Sequence, residues 1–446
     1  MRNSCEIRTA YVPDDDATPM TTLNEALAGL PDYDPDHMTV EAARAVISRT
    51  ASPVSAIEQV AVRSALGRVL GRDVISPLDV PAFDNAAMDG YAFAGSALSA
   101  GGQVRLRVAG RSFAGHPFDG VAAAGECVRI MTGALLPAGC DTVIPQEHVQ
   151  RESDADIVTF DASAVTPGRH VRHVGEDLAA GHAALHAGKR LRPAALGLLA
   201  SLGIAEVPVR RRIRVAFFST GDELRSVGEP LAPGNLYDSN RYTLFGMLQR
   251  LGVEVLDLGV VRDDPQAIED TLRTACREAD AVITSGGVSV GEADFTREMM
   301  TRLGNVAFWK MAMRPGRPFA FGELESEGKR ALLFGLPGNP AAVMASFYHL
   351  VRDGLFVLMG AEPQVTPSLP VPTTTAIAKR PGRTEFLRGI LAADAHGRWQ
   401  VTVADAQSAG ILRTMSEANC FVTLGTKRGD VAAGELVDVI AFDGLV

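Results

Sequence analysis

The 446-residue sequence has little that would staple it together or anchor it. Its five cysteines, Cys5, Cys127, Cys140, Cys276 and Cys420, contain no C-x-x-C pair. That argues against a zinc knuckle or a disulfide framework and points to a reducing compartment. No run reads as long and apolar enough to span a membrane. The opening stretch MRNSCEIRTAYVPDDDATPM also lacks the apolar core of a signal peptide, so the cytoplasm is expected. Positive charge is short as well: 43 Lys and Arg against 53 Asp and Glu leave a net −10, without the basic footprint of a nucleic-acid binder. A P-loop and an H-E-x-x-H pair are missing; GVSVG at 287–291 has the G-x-S-x-G spacing, but His170 and His173 have no spaced acidic partner with which to complete a triad. Acyl transfer and zincin chemistry are therefore not indicated. With 46% hydrophobic residues the chain can bury a sizeable core, and its length suits about three domains, or four small ones. A small-molecule enzyme fits best.

What is present centres on residues 213–294. Three apolar runs, IRVAFFST from 213, VEVLDLGVV from 253 and ADAVITS from 279, are joined by segments of helical period. Leu244, Met247, Leu248 and Leu251 carry the first such period, and Ile268, Leu272 and Ala275 the second. This alternation predicts a parallel sheet with helices packed on it. An acidic group follows each run: Glu223 in GDEL, Asp263 in RDD, and Glu292 with Asp294 after TSGGVSVG. Ligands of open α/β sheets bind at that edge. Gly286, Gly287 and Gly291 fit either a plain turn or a nest of inward N–H groups for an anion, to which Ser289 adds a hydroxyl. The nearby carboxylates would repel a phosphate by about 3 kcal/mol per pair at roughly 5 Å and an effective dielectric constant near 20. A divalent cation between them resolves the conflict.

Residues 1–35 read as a disordered tail, and MTVEAARAVISRTA (38–51) as a helix capped by Thr39. A second helical pattern follows in 55–76, with Ile57, Val60, Ala61, Ala65 and Leu66 on one face. From 77 to 178 short strands separated by glycine and proline predict an all-β insert. A helix at LRPAALGLLASLG follows, and a further long helix begins at Ala341. Beyond the proline-rich AEPQVTPSLPVP, residues 366–446 alternate strands and turns again.

Outside the glycine loop, PAFDNAAMDGYA is a packed turn or a loop that presents Asp89, and Thr132 at the end of RIMTG is a cap or a ligand. FWKMAMRPGRPFAFG sets Lys310, Arg314 and Arg317 among apolar neighbours, which favours an oxyanion site. If that segment is extended, Lys310 and Arg314 share a face. GLPGNP, with Pro337, Gly338 and Pro340, leads into a helix whose N-terminus could receive an anion, although alone it is a strand-to-helix turn. Arg383, Arg388, Ser408, Arg413 and Ser416 in the last domain read as structural on their own.

Together, PAFDNAAMDGYA, RIMTGALLP, STGDEL, SGGVSVGEAD, KMAMRPGRPFAFG and GLPGNP resemble the molybdopterin molybdenumtransferase family and the related E domain of gephyrin over residues 38–446. The resemblance implies a multidomain α/β plus β chain. A molybdopterin-binding three-layer α/β domain would comprise 38–51 and 208–365, and a small mixed domain 52–76 and 179–207. The β insert would be 77–178, and a C-terminal β-barrel-like domain 366–446. It also implies adenylylated molybdopterin and molybdate as substrates, AMP release, Mg2+, and a homodimer with its active site between subunits. Contact with the molybdopterin adenylyltransferase is a further implied partnership. Matched by motif, Asp89, Thr132, Glu223, Asp263, Asp294, Lys310 and Arg314 are the implied catalytic positions, with Glu223, Asp263 and Asp294 on the metal. Gly286, Gly287, Ser289, Gly291, Arg317, Pro337, Gly338, Pro340, Arg388 and Ser408 are implied to bind substrate. Arg314 and Arg317 stand where many members have lysine, which exchanges a point donor for a planar fork. A gephyrin-like scaffold and a molybdopterin adenylyltransferase are the alternatives; intact acidic positions disfavour the first, and the insert and C-terminal domain the second.

Overall fold

A computed structural model describes residues 21–152, 156–288, 295–364 and 366–442. The chain divides into two compact units. One holds the residues up to Glu58, Gly67–Gly71 and everything from Val209 on; the other holds Gln59–Leu66 and Arg72–Pro208.

The first unit begins earlier than the sequence suggests. Residues 21–35, expected in the disordered tail, include helix α1 (Leu23–Ala28). Thr22 accepts from the Glu25 amide while the Glu25 carboxylate accepts from the Thr22 amide, a reciprocal capping box. Leu23 and Ala26 are buried in the main core, and the Trp309 indole donates to the Tyr33 hydroxyl at 3.2 Å. Helix α2 (Val40–Thr50) is capped by Thr39 as the sequence indicates. The pattern in 55–76 is not a helix: Ile57–Ala61 is strand β1, Val62–Ser64 a single 3-10 turn, and Leu66 is exposed. Ile57 and Val60 are β-branched, and no packed face forms to override their extended preference.

The second unit carries a six-stranded sheet. Its strands are β2 (Gly90–Phe93), β3 (Gln103–Ser112), β4 (Glu126–Ile130), β5 (Thr142–Pro145), β6 (Gln150–Arg151) and β7 (Ile157–Asp161), in the order β5-β2-β4-β3-β7-β6. Tyr91, Phe93, Val104, Leu106, Ile144 and Phe160 fill one side. Gly90 is required, because a Cβ there would sit 1.9 Å from the Ile144 carbonyl oxygen on the paired strand.

The rest of the first unit is a three-layer α/β arrangement. Strands β8 (Arg214–Thr220), β9 (Glu254–Val261) and β10 (Ala281–Ser285) are parallel, as their apolar runs predict. Helices α3 (Ser239–Leu251), α4 (Pro265–Glu278) and α5 (Phe295–Leu303) flank them. The sheet is completed by β11 (Gly304–Lys310), β12 (Pro318–Ser326) and β13 (Lys329–Leu336), in the order β9-β8-β10-β13-β12-β11. Alternate residues of β8 enter different cores. Val215 and Phe217 pack with Leu244, Met247 and Leu248 of α3 on one face, and Ala216 and Phe218 pack with Ile268, Leu272 and Ala275 of α4 on the other. Burial on both faces is why the strand reads as an unbroken apolar run. Asp238 and Asp264 cap α3 and α4, accepting from Arg241 and Ala267.

A helical run from Pro340 to Leu358 reaches the length and hydropathy of a membrane span, contrary to the sequence reading, but 83% of it is buried inside the protein. It is a core helix. The C-terminal strands Leu369–Pro372, Thr384–Ala393, Trp399–Val403, Cys420–Leu424 and Leu436–Ala441 form a further sheet, which Met313–Arg314 joins at one end. Among the described residues Cys127, Cys140, Cys276 and Cys420 are free.

Candidate active site

The carboxyl ends of β8, β9 and β10 open into a cavity of about 650 Å³. Glu223, Asp263, Gly286, Gly287, Gly338 and Pro340 line it, together with Thr220, Asp238, Asn240, Ser285 and Thr296, which the sequence did not single out. Pro337 is buried behind the wall and does not line it. Ser289, Gly291 and Asp294 lie outside the described residues.

Gly286 and Gly287 take φ values of 93° and 65°, the left-handed region that glycine occupies without strain. A side chain has no room either: a Cβ on Gly286 would meet the Thr220 carbonyl at 2.7 Å, and one on Gly287 the Thr296 hydroxyl at 2.4 Å. The loop therefore brings bare backbone to the cavity.

Its acidic residues are in mutual conflict. The Asp263 pKa is raised above the usual aspartate value, first by burial and then by the charges of Asp222 and Glu223. Asp263 as a residue remains exposed, so the burial is partial and confined to the carboxyl. A hydrogen bond from the Asp222 backbone amide to the Asp263 carboxyl acts in the opposite direction, and the Asp263 amide in turn donates to Asp222 Oδ1 at 3.3 Å. No group of three His, Cys, Asp or Glu side chains converges to hold a metal among the described residues. Two carboxylates nevertheless suit magnesium, which keeps several waters and is commonly held by one or two carboxylates plus substrate phosphates.

Three other groups of predicted residues each have their own partners. Asp89 and Thr132 meet in the second unit, where the Thr132 amide and hydroxyl donate to Asp89 Oδ1 at 2.8 and 2.7 Å. These bonds, the amide first, hold the Asp89 pKa below the usual value. Also in that unit, His173 does have an acidic neighbour, with Nδ1 3.4 Å from Asp84 Oδ2.

Arg388 and Ser408 meet in the C-terminal sheet. Arg388 is 1% exposed, and its Nη2 donates to the carbonyls of Ala406 at 2.7 Å and Ser408 at 3.2 Å. Its Nε and Nη1 have no partner among the described residues, and burial lowers its pKa.

Lys310 reaches Asp36 Oδ1 at 2.8 Å. It does not share one extended segment with Arg314: β11 ends at Lys310, and Met313–Arg314 pairs instead with Thr384–Glu385. Arg314 and Arg317 are exposed.

The helix after GLPGNP is not an open anion site. The amide of Ala341 donates to the Ala409 carbonyl, and those of Ala342 and Val343 to the Asn339 carbonyl. Pro340 has no N–H to offer.

Residues 38–203 match the family described as "MoeA N-terminal region (domain I and II)". Residues 216–356 match the "Probable molybdopterin binding domain", and 370–442 the "MoeA C-terminal region (domain IV)". The chain is 42% identical to the molybdopterin molybdenumtransferase of Haemophilus influenzae over 92% of its own length and 100% of that protein. It is 36% identical to molybdopterin molybdenumtransferase 2 of Mycobacterium tuberculosis H37Rv over 85% and 94%. The crystal structure of the molybdopterin biosynthesis moeA protein from Pyrococcus horikoshii OT3 superposes with a TM-score of 0.76 at 27% identity, covering 91% of this chain and 100% of that one. From its first matched helix to its last strand, the chain belongs to the molybdopterin molybdenumtransferase family.

Proposed function

We propose that this chain transfers molybdenum from molybdate to adenylylated molybdopterin and releases AMP. The observation that carries this reading is the cavity at the strand ends, where backbone at Gly286 and Gly287 faces Glu223 and an Asp263 whose ionisation its neighbours oppose. Such a site is suited to a phosphate and a cation together. Glu223 and Asp263 would hold magnesium, with Asp294 as a third ligand by family resemblance. Bound there, the ion supplies charge neutralisation and Lewis acidity at the pyrophosphate.

The chain's own groups divide the remaining work. The Gly286 amide is spent on the Leu336 carbonyl at 3.1 Å, which leaves the Gly287 amide for phosphate, with Ser289 and Gly291 added by family resemblance. Pro337, Gly338 and Pro340 shape the wall beside it. Arg388 keeps buried donors on Nε and Nη1 for an oxyanion, with Ser408 beside it. Lys310, Arg314 and Arg317 add positive charge. Asp89, held ionised by Thr132, serves a second contact with the substrate or the metal. Resemblance to the family supports a cytoplasmic homodimer with its active site between subunits, supplied through contact with the molybdopterin adenylyltransferase.

The test is AMP release from adenylylated molybdopterin by the purified protein, with and without molybdate and magnesium. Release that requires both is expected. A folded protein that binds the pterin yet releases no AMP under any of these conditions would overturn the transferase reading in favour of a binding role.

A further inference from the structure

The floor of the cavity carries acceptors that no group among the described residues satisfies. Asp238 is 2% exposed, and its carboxylate is split between two tasks. Oδ1 caps helix α3 by accepting from the Arg241 amide at 3.1 Å, while Oδ2 is buried without a partner. Two residues on, Asn240 is 8% exposed. Its Nδ2 donates to Ser285 Oγ at 2.8 Å and to the Gly338 carbonyl at 2.7 Å, which ties the end of β10 to the GLPGNP loop. A carbonyl can only accept, so the Gly338 contact fixes the orientation of the amide. Asn240 Oδ1 must then be the free end, and it too is buried without a partner. Both residues line the cavity. A buried acceptor left unmatched is costly, so this floor is built for a ligand that brings N–H groups.

The same atoms exclude the oxyanion parts of the substrate. Phosphate or molybdate placed here would set lone pairs against a carboxylate oxygen and an amide oxygen. Of the uncharged parts, a pterin presents a 2-amino group beside a ring N3–H, two neighbouring donors on one edge. Adenine presents one exocyclic amine flanked by ring nitrogens that accept, so it could satisfy one acceptor only by turning a lone pair toward the other.

We infer that Asp238 and Asn240 are specificity-determining residues that read the aminopyrimidinone edge of the pterin, through Asp238 Oδ2 and Asn240 Oδ1. Asn240 also positions the site, because its Nδ2 joins two of the loops that form it. This assignment rests on adenylylated molybdopterin being the substrate.

The experiment measures equilibrium binding of adenylylated molybdopterin and of AMP to the full chain and to Asp238→Asn and Asp238→Ser. Both variants retain a side-chain acceptor for the α3 cap while removing the carboxylate from the floor, so Asp238→Ser decides the matter if Asp238→Asn does not fold. The expected result is a loss of roughly ten- to a hundredfold in affinity for adenylylated molybdopterin, with AMP affinity unchanged. Displacement by a simple pterin, set against lumazine, which carries oxygen in place of the 2-amino group, should favour the pterin in the parent chain and lose that preference in the variants. Equal weakening for AMP would assign the pair to the nucleobase and overturn the pterin assignment. Unchanged affinity for both ligands would overturn any recognition role. A parent chain that binds AMP but not adenylylated molybdopterin would instead sink the proposed function itself.

Discussion

Asp89 and Asp263 carry the same carboxylate, and the protein treats them in opposite ways. Asp89 accepts from a backbone amide and a hydroxyl of one residue, Thr132, and its pKa falls. Asp263 is partly buried beside Asp222 and Glu223, and its pKa rises. A carboxylate held by protein donors is stable as an anion before any ligand arrives. A frustrated one lowers its free energy by taking a proton or a cation. The difference separates an anion that the protein has already solvated from one left for a ligand to complete.

The strongest way to break this contrast is to neutralise the frustrated side. Glu223→Gln should lower AMP release on the order of a hundredfold or more, the size of effect seen when one preorganised electrostatic group is lost. Asp89→Asn should cost less, because the Thr132 donors remain in place. Steady-state AMP release measures both, and a larger loss for Asp89→Asn would reverse the roles assigned to the two sites.

A second effect is the pH dependence of stability, with opposite signs at the two carboxylates. Asp263 has a folded pKa above its unfolded one, so its contribution is fully present below the unfolded pKa and is lost as pH rises through the raised value. Asp89 is depressed, so its contribution is present above the unfolded pKa and is lost as pH falls through the lowered one. The Asp89 carboxyl is open to solvent, and solvent screening keeps its share small. Thermal melts across the acidic range should show the Asp263 component disappear in Asp263→Asn. Added magnesium should stabilise the parent chain more at neutral pH than at pH values where Asp263 is protonated; equal stabilisation at both would remove Asp263 from the cation site.

Asp222→Asn sharpens the comparison further. Removal of that like charge should bring the Asp263 pKa back toward the ordinary aspartate range without altering Asp89, as followed by carboxyl titration in NMR. The smallest expected effect is that of Thr132→Val, which removes the hydroxyl but keeps the amide donor. The Asp89 pKa should rise only part of the way, because the amide is the larger of its two supports.

Much of the α/β sheet and its acidic rim was legible in the sequence for a physical reason. Parallel strands buried on both faces leave long apolar runs, and a polar group just beyond such a run must lie at the sheet edge. Glu223 and Asp263 were found this way. Asp238 and Asn240 were not, because YDSN before a helical pattern is explained in full by N-capping, and nothing in the letters says that the second carboxylate oxygen stays free. Helix α1 had a readable signal in TLNE, a threonine followed three residues later by glutamate, but the acidic, proline-containing stretches around it suggested disorder. The face drawn through Ile57, Val60, Ala61, Ala65 and Leu66, of which Ala65 alone is buried, failed because i, i+3, i+4 spacing arises by chance over so short a run, and burial rather than spacing decides.

The segment ahead of α2 sets a limit on how the molecule can be trimmed. The shared family region begins at residue 38. Yet Tyr33 receives the Trp309 indole, the Pro35 carbonyl accepts from the Lys310 amide at 2.7 Å, and Asp36 is the counter-ion of Lys310. A recombinant fragment cut at the homology boundary would keep every motif shared with its relatives and still expose a lysine stripped of its counter-ion and of the carbonyl that holds its amide. Its kinetics would then describe the truncation rather than the enzyme.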